Sequence, residues 1–343
     1  MKTPPESGQT RLSNRRSFLK RGATAASLAT IGPGLFLTTL HTGTAEDEHS
    51  GRLTAGDAAI LRFLHVLETI EADLWRQYAE LGGATNQPGF SRIDLPFPTG
   101  LASLYVSALE QLDGDMPQYI DDNTDDEFSH AAFLGAYLAS KGATTIDITT
   151  QFANIAPSTV TGVPQTGRLT NLTQLTVDTS WWIRYRSDSG NPDFGDAFGQ
   201  AVPTLNVGQH TAIPRSNADL VADPTTTSGV SDHTQAIANT AGFHFAFIEQ
   251  GGSSLYPSLA QRVTSAEVLR ILLSIGPTET AHFQTWHDKA GNAPAISDTD
   301  LGFPGSTGAM LVFPDLTTGS DPETLQKNLI MPEPTIFLNR KFP

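Results

Sequence analysis

The chain has 343 residues, no cysteine, 38% hydrophobic and 17% charged residues, and a formal net charge of −15. The lack of cysteine excludes disulfides and thiolate metal sites, and the acidic balance argues against nucleic acid as a main partner, because phosphate binding needs a basic face. With 30 Gly and 22 Pro, the composition describes a folded chain rich in loops, and its length suits one large domain.

In chain order, residues 11–22 (RLSNRRSFLKRG) form a basic cluster, 23–40 (ATAASLATIGPGLFLTTL) a moderately apolar run, and small residues follow near Gly43-Thr44-Ala45. That is the layout of an export signal. Gly32-Pro33-Gly34 inside the apolar run makes a poor membrane span. Arg15-Arg16-Ser17-Phe18-Leu19-Lys20 resembles the twin-arginine signal, with Asn14 where Ser or Thr is usual. The resemblance implies a signal over 1–45 read by the twin-arginine export machinery, which carries folded proteins. After cleavage the chain would be periplasmic or extracellular, with no integral membrane segment, and still more acidic.

From Ala55 to Leu81 apolar residues recur at 60, 64, 67, 70, 74 and 78, the spacing of an amphipathic helix, and Gly82-Gly83 stops it. A Pro/Gly-rich link (88–100) leads to a short helix over Leu101–Leu112 and a long one over 117–141. Residues 143–232 are dominated by Thr, Pro, Gly, Asn and Asp. Within them Leu172–Val177 and Trp182–Tyr185 read as strands or extended arms. Ser180-Trp181-Trp182-Ile183-Arg184-Tyr185-Arg186 reads as an arm clamped by its aromatics. Helical pattern returns over 233–262, weakened by Gly251-Gly252 and Pro257, and again over 265–290, where Pro277 predicts a kink. Residues 291–343 read as loop.

The chemistry-bearing residues sit on the four long helical segments. Glu127 and His130 lie three apart in DEFSHAAFL, where a polar run turns apolar, and Glu279 and His282 repeat the spacing in TETAHF. Residues three apart share a helix face, so each pair can aim a carboxylate and an imidazole at one point. The first and third segments each add a Glu in an apolar setting, Glu68 in LHVLETIEADLW and Glu249 in FAFIEQGGSSLY. Aligning these two pairs Leu64 with Phe245, Leu67 with Ile248, Leu74 with Leu255 and Trp75 with Tyr256. The chain thus looks like two diverged helical hairpins, 46–142 and 233–290, joined by a crossover over 143–232 and followed by an extension over 291–343.

Four inward carboxylates and two imidazoles match the dinuclear carboxylate sites of four-helix bundles. The pattern resembles the ferritin-like superfamily, in particular its exported branch that includes desiccation-related plant proteins. The resemblance implies a mainly α fold: a four-helix bundle with a long loop- and β-rich insertion between helices two and three. It implies the metal ligands Glu68, Glu127, His130, Glu249, Glu279 and His282, with Glu127 and Glu279 bridging two ions. Glu71, on the same stripe as Glu68, is the competing helix-one ligand. One imidazole per metal in an oxygen-rich set suits iron, with manganese as alternative. Expected functions are ferroxidase or oxidase chemistry with dioxygen or peroxide, dimanganese peroxide dismutation, or a non-enzymatic stress or envelope role for the bundle. His65, His233, His244 and His287 read as surface or core-edge histidines, and Trp75 and Tyr256 as core packing.

Overall fold

The computed structural model describes residues 51–84, 102–187, 196–299 and 310–317. The export signal expected over 1–45 and the Pro/Gly link over 88–100 lie outside them. The fold is mainly helical, with one small antiparallel sheet among the described residues.

Four long helices carry the architecture: α1 (Ala55–Gly82), α3 (Met116–Ser140), α6 (Asp232–Ala260) and α7 (Ala266–Ala290). The short α2 (Ala102–Leu109) packs on α6. Local chemistry sets the helix starts. Thr54, Ser231 and Ser265 each cap a helix by accepting from the backbone N–H three residues on. Past the end of α3, Gly142 takes φ +69°, a left-handed turn that a side chain would strain. Both α6 and α7 run without interruption through Pro257 and Pro277.

Contacts along the helices fix their directions. Arg62, Trp75 and Ala84 on one strand of contacts meet Thr144, Thr124 and Asp121 on the other, so α1 and α3 run antiparallel. Trp75 with Glu249 and Asp57 with Thr264 make α1 and α6 antiparallel as well. Therefore α3 and α6 point the same way, and residues 141–231 must return along their length. Two apolar clusters fill the interior. One is aromatic, built around Trp75, Phe245, Phe283 and Trp286; the other is aliphatic, with Leu61, Leu64, Leu134, Leu138, Leu272 and Ile275. On each long helix the expected ligand falls between its contributions to the two clusters.

The returning segment differs from a β-rich insertion. Its described residues hold two short helices, α4 (Thr149–Phe152) and α5 (Ser180–Arg184), two 3-10 turns and isolated bridges, but no strand. Leu172–Val177 makes only one bridge, Leu175 to His210. Trp182–Arg184 is helical, with Tyr185 capping the turn, where alternation suggested extension, and Trp181 and Trp182 are both buried. Trp181 packs on Phe243, Phe283 and His287, and Trp182 stacks on His287, so the segment is clamped by aromatics. Polar anchors add to this. Asp73 of α1 accepts from the Leu169 and Thr170 backbones, and Glu80 holds the buried Arg168 guanidinium at 3.1 and 2.5 Å. The sheet lies beyond α7, in a region read as loop: β1 (Ile296–Thr299) pairs with β2 (Met310–Phe313). No described helix is long and apolar enough to cross a membrane.

Candidate metal centre

Two groups of side chains could each hold an ion: Glu68, Glu127, His130 and Glu279, and Glu127, Glu249, Glu279 and His282. Within each group the ligand atoms all lie within 4.8 Å of one another. Ligands around one ion at about 2.0–2.2 Å stand at most about 4.4 Å apart, so each group is close to coordination size. All six expected ligands come together, and Glu127 and Glu279 belong to both groups. Glu71 belongs to neither, which separates it from Glu68.

The carboxylates are buried: Glu127, Glu249 and Glu279 are 0% exposed and Glu68 2%. His130 Nδ1 lies 3.1 Å from Glu127 Oε2, 3.1 Å from Glu279 Oε1 and 3.3 Å from Glu68 Oε2. A single N–H serves one acceptor, and only the Glu127 contact has hydrogen-bond geometry. His282 Nδ1 lies 3.1 Å from Glu127 Oε1 and 3.3 Å from Glu249 Oε2. Glu68 Oε2, Glu249 Oε2, both Glu279 oxygens and His282 Nδ1 are buried without a hydrogen-bond partner among the described residues. Orphaned buried oxygens and a ring nitrogen converging on shared points fit a cation, because unpaired buried carboxylates are otherwise expensive.

Burial and close approach shift the charges of these groups. Burial, then the charge of Glu127, pushes the Glu68 carboxyl up to about 7. Burial, then Glu68, pushes Glu279 up to about 8. Burial opposes a charge on His130, but the close Glu127, Glu279 and Glu68 carboxylates outweigh it and raise the imidazole to about 12. His282 is likewise raised well above its ordinary value against burial, chiefly by Glu249. Glu71 is pushed well up by burial and then by Glu249, Glu127, Glu279 and Glu68.

A surrounding shell holds the ligands, and its form follows the hairpin alignment. The two aligned aromatics donate across to each other's carboxylate: Trp75 Nε1 to Glu249 Oε1 at 2.9 Å, and the Tyr256 hydroxyl to Glu68 Oε1. They are therefore ligand holders as well as core. Asn123 donates to Glu127 Oε1 at 2.8 Å and Glu249 Oε1 at 3.0 Å, and itself accepts from Trp286 Nε1 at 2.7 Å. Asp126 Oδ2 lies 3.1 Å from His282 Nε2, which leaves Nδ1 facing Glu127 and Glu249. Asn123 and Asp126 were not singled out in the sequence, although they stand four and one residues before Glu127. Counted back from Glu279, the matching positions are Ile275 and Thr278. The two groups are thus unequal, the one with His282 being better braced.

Gly252 reverses its sequence reading as a weak point. A Cβ there would stand 2.7 Å from Glu279 Oε2, so the glycine makes room for a shared ligand inside an intact helix. Two histidines expected near the surface are core residues. His287 is fully buried against Trp181 and Trp182, and His244 is buried with its Nδ1 2.6 Å from the Tyr78 hydroxyl. Comparison of the chain with protein-family models, with curated proteins and with solved structures gives no match.

Proposed function

We propose that the chain is an exported, ferritin-like protein whose four long helices form a bundle around a carboxylate-bridged dinuclear metal centre. The observation that carries this reading is that the two four-residue ligand groups share Glu127 and Glu279, one from each helical hairpin. A mononuclear site has no use for two such carboxylates, and a hydrogen-bonded polar core would not leave both Glu279 oxygens unpartnered. Two divalent cations neutralise four buried carboxylates.

Iron is the proposed occupant. Carboxylate oxygens with one imidazole per ion suit iron or manganese better than zinc or copper. When bound, the pair would supply redox chemistry toward dioxygen or peroxide, as a ferroxidase or an oxidase. The chain's own residues do the rest. Glu127 and Glu279 span the two positions. Trp75 and Tyr256 orient the terminal carboxylates, and Asp126 fixes the His282 tautomer. The two apolar clusters exclude bulk water. The basic, apolar, small-residue order of residues 11–45 supports export by the twin-arginine route, which would let the centre be loaded before passage.

Elemental analysis of the full chain purified without added metal tests the reading. Two irons per chain, lost in Glu127→Ala, together with an absorption change when Fe(II) meets air, are expected. Two manganese ions with oxygen evolution from peroxide would select dismutation instead. Absence of metal, with unchanged stability in Glu127→Ala and Glu279→Ala, would leave a scaffold role and overturn the proposal.

A further inference from the structure

A cavity of about 360 Å³ adjoins the centre, lined among the described residues by α1 and α6. That is within the size range of small-molecule sites. Its walls are apolar: Leu67, Ile70 and Leu74 from α1 face Phe247, Ile248 and Leu255 from α6. Its mouth carries Phe63, 38% exposed, and the exposed Gly251. The polar groups at its inner end belong to the centre or touch it. Glu68 is a ligand, and Tyr256 donates to Glu68. Gly252 brings the cavity within one residue of the shared Glu279. Glu71 also lines it, with Oε1 buried and lacking a hydrogen-bond partner among the described residues. His244, the remaining polar residue, is held neutral by burial, its pKa lowered to about 3.

These features decide between two kinds of reactant. A hydrated metal ion would have to shed water along apolar walls that return nothing for it. The exposed polar edge of the centre, the His282 ring at 13% and the Asp126 carboxylate at 50%, lies on α3 and α7 instead. We propose that the α1–α6 cavity seats an apolar small organic molecule. Its one polar group would meet Glu71, and its end would lie against the Glu68–Tyr256 wall of the centre. As the centre's reactant, this molecule makes the protein an enzyme of organic chemistry rather than an iron oxidiser. That role rests on the dinuclear reading above; the seat itself does not.

The neutral fluorophore N-phenyl-1-naphthylamine tests the seat directly. It is titrated into the purified full chain, with metal content measured on the same preparation. Saturable binding is expected, and Gly251→Phe should weaken it at least tenfold while metal content stays unchanged. A Cβ at Gly251 meets nothing within 4 Å, so the substitution fills the mouth without forcing the helix apart. Leu67→Trp, which fills the cavity from the opposite wall, should act alike, and Glu71→Leu should abolish any preference for an alkanol over an alkane as competitor. No saturable binding, or a Kd unmoved in both filling variants, overturns the proposal. Probe binding by protein purified without metal, whose stability is also unchanged in Glu127→Ala and Glu279→Ala, would overturn the dinuclear reading and leave the apolar seat standing.

Discussion

Glu127 and Glu279 belong to both four-residue groups, whereas Glu68 and Glu249 each belong to one. Truncation should therefore act in two classes. Glu127→Ala or Glu279→Ala should empty both positions. Glu68→Ala should leave the position of Glu249 and His282, and elemental analysis should find one ion per chain. Glu71→Gln should keep two, since Glu71 belongs to neither ligand group. A Glu71 variant that loses metal while Glu68→Ala keeps it would reverse the assignment. A second contrast concerns adjacent glycines. Gly251→Ala should stabilise α6 by up to about 1 kcal/mol, the helix preference of alanine over glycine. Gly252→Ala gains the same preference but crowds Glu279, and should weaken metal binding by about 10–100-fold, the scale for disturbed ligand support. Titration of metal into the chelated variants reads both. The convergence of the six side chains was legible because a three-residue spacing on a helix is a local pattern, and the hairpin alignment favoured Glu68 over Glu71. The cross-donation of Trp75 and Tyr256 was not, since it joins helices some 170–190 residues apart in sequence.

Among the elements, the returning segment is held to α1 by one buried ion pair. Arg168 and Glu80 side chains are each 1% exposed and joined by two hydrogen bonds. Arg168→Ala leaves the buried Glu80 carboxylate with Arg76 alone, 3.0 Å away and more exposed, and should cost about 2–3 kcal/mol, read from chemical denaturation, less than a wholly unpaired buried charge. The double variant Arg168→Met, Glu80→Gln should recover most of that loss, because neither charge is then buried alone. Neither residue touches a ligand, so metal stoichiometry should hold in all three proteins; a loss of metal would mean that this segment shapes the centre. The long helices were legible to within a few residues, since their apolar spacing and Gly or Ser boundaries are local. The returning segment was misread because Trp182–Tyr185 is too short for alternation to separate a strand from a helical turn. β1, reading Ile-Ser-Asp-Thr, has too few apolar residues to announce a strand; its pairing with β2 defines it.

At the scale of the whole molecule, the centre concentrates charge in an already acidic chain of formal net charge −15. Five carboxylates, counting Glu71, crowd the space between two apolar clusters with two imidazoles to oppose them. The fold should therefore lean on its ions. Each ion at a hundredfold excess over its Kd adds about 2.7 kcal/mol, so two add about 5 kcal/mol. At roughly 2 °C per kcal/mol for a domain of this size, chelation should lower Tm by about 10 °C. The loss should also depend on pH, in a definite direction. Glu68 and Glu279 rise from an ordinary 4.5 to about 7 and 8 in the fold. The metal-free fold thus keeps protons that the unfolded chain releases above 4.5, and its stability falls as pH rises from there to about 8. His130, held near 12 against an ordinary 6.5, acts in the same sense above 6.5. In the loaded chain the ions take the place of those protons, so its stability escapes this decline. Calorimetry of loaded and chelated protein should find the gap in Tm wider at pH 8 than at pH 5. A gap that narrows with rising pH would mean that the six side chains satisfy one another and need no cation.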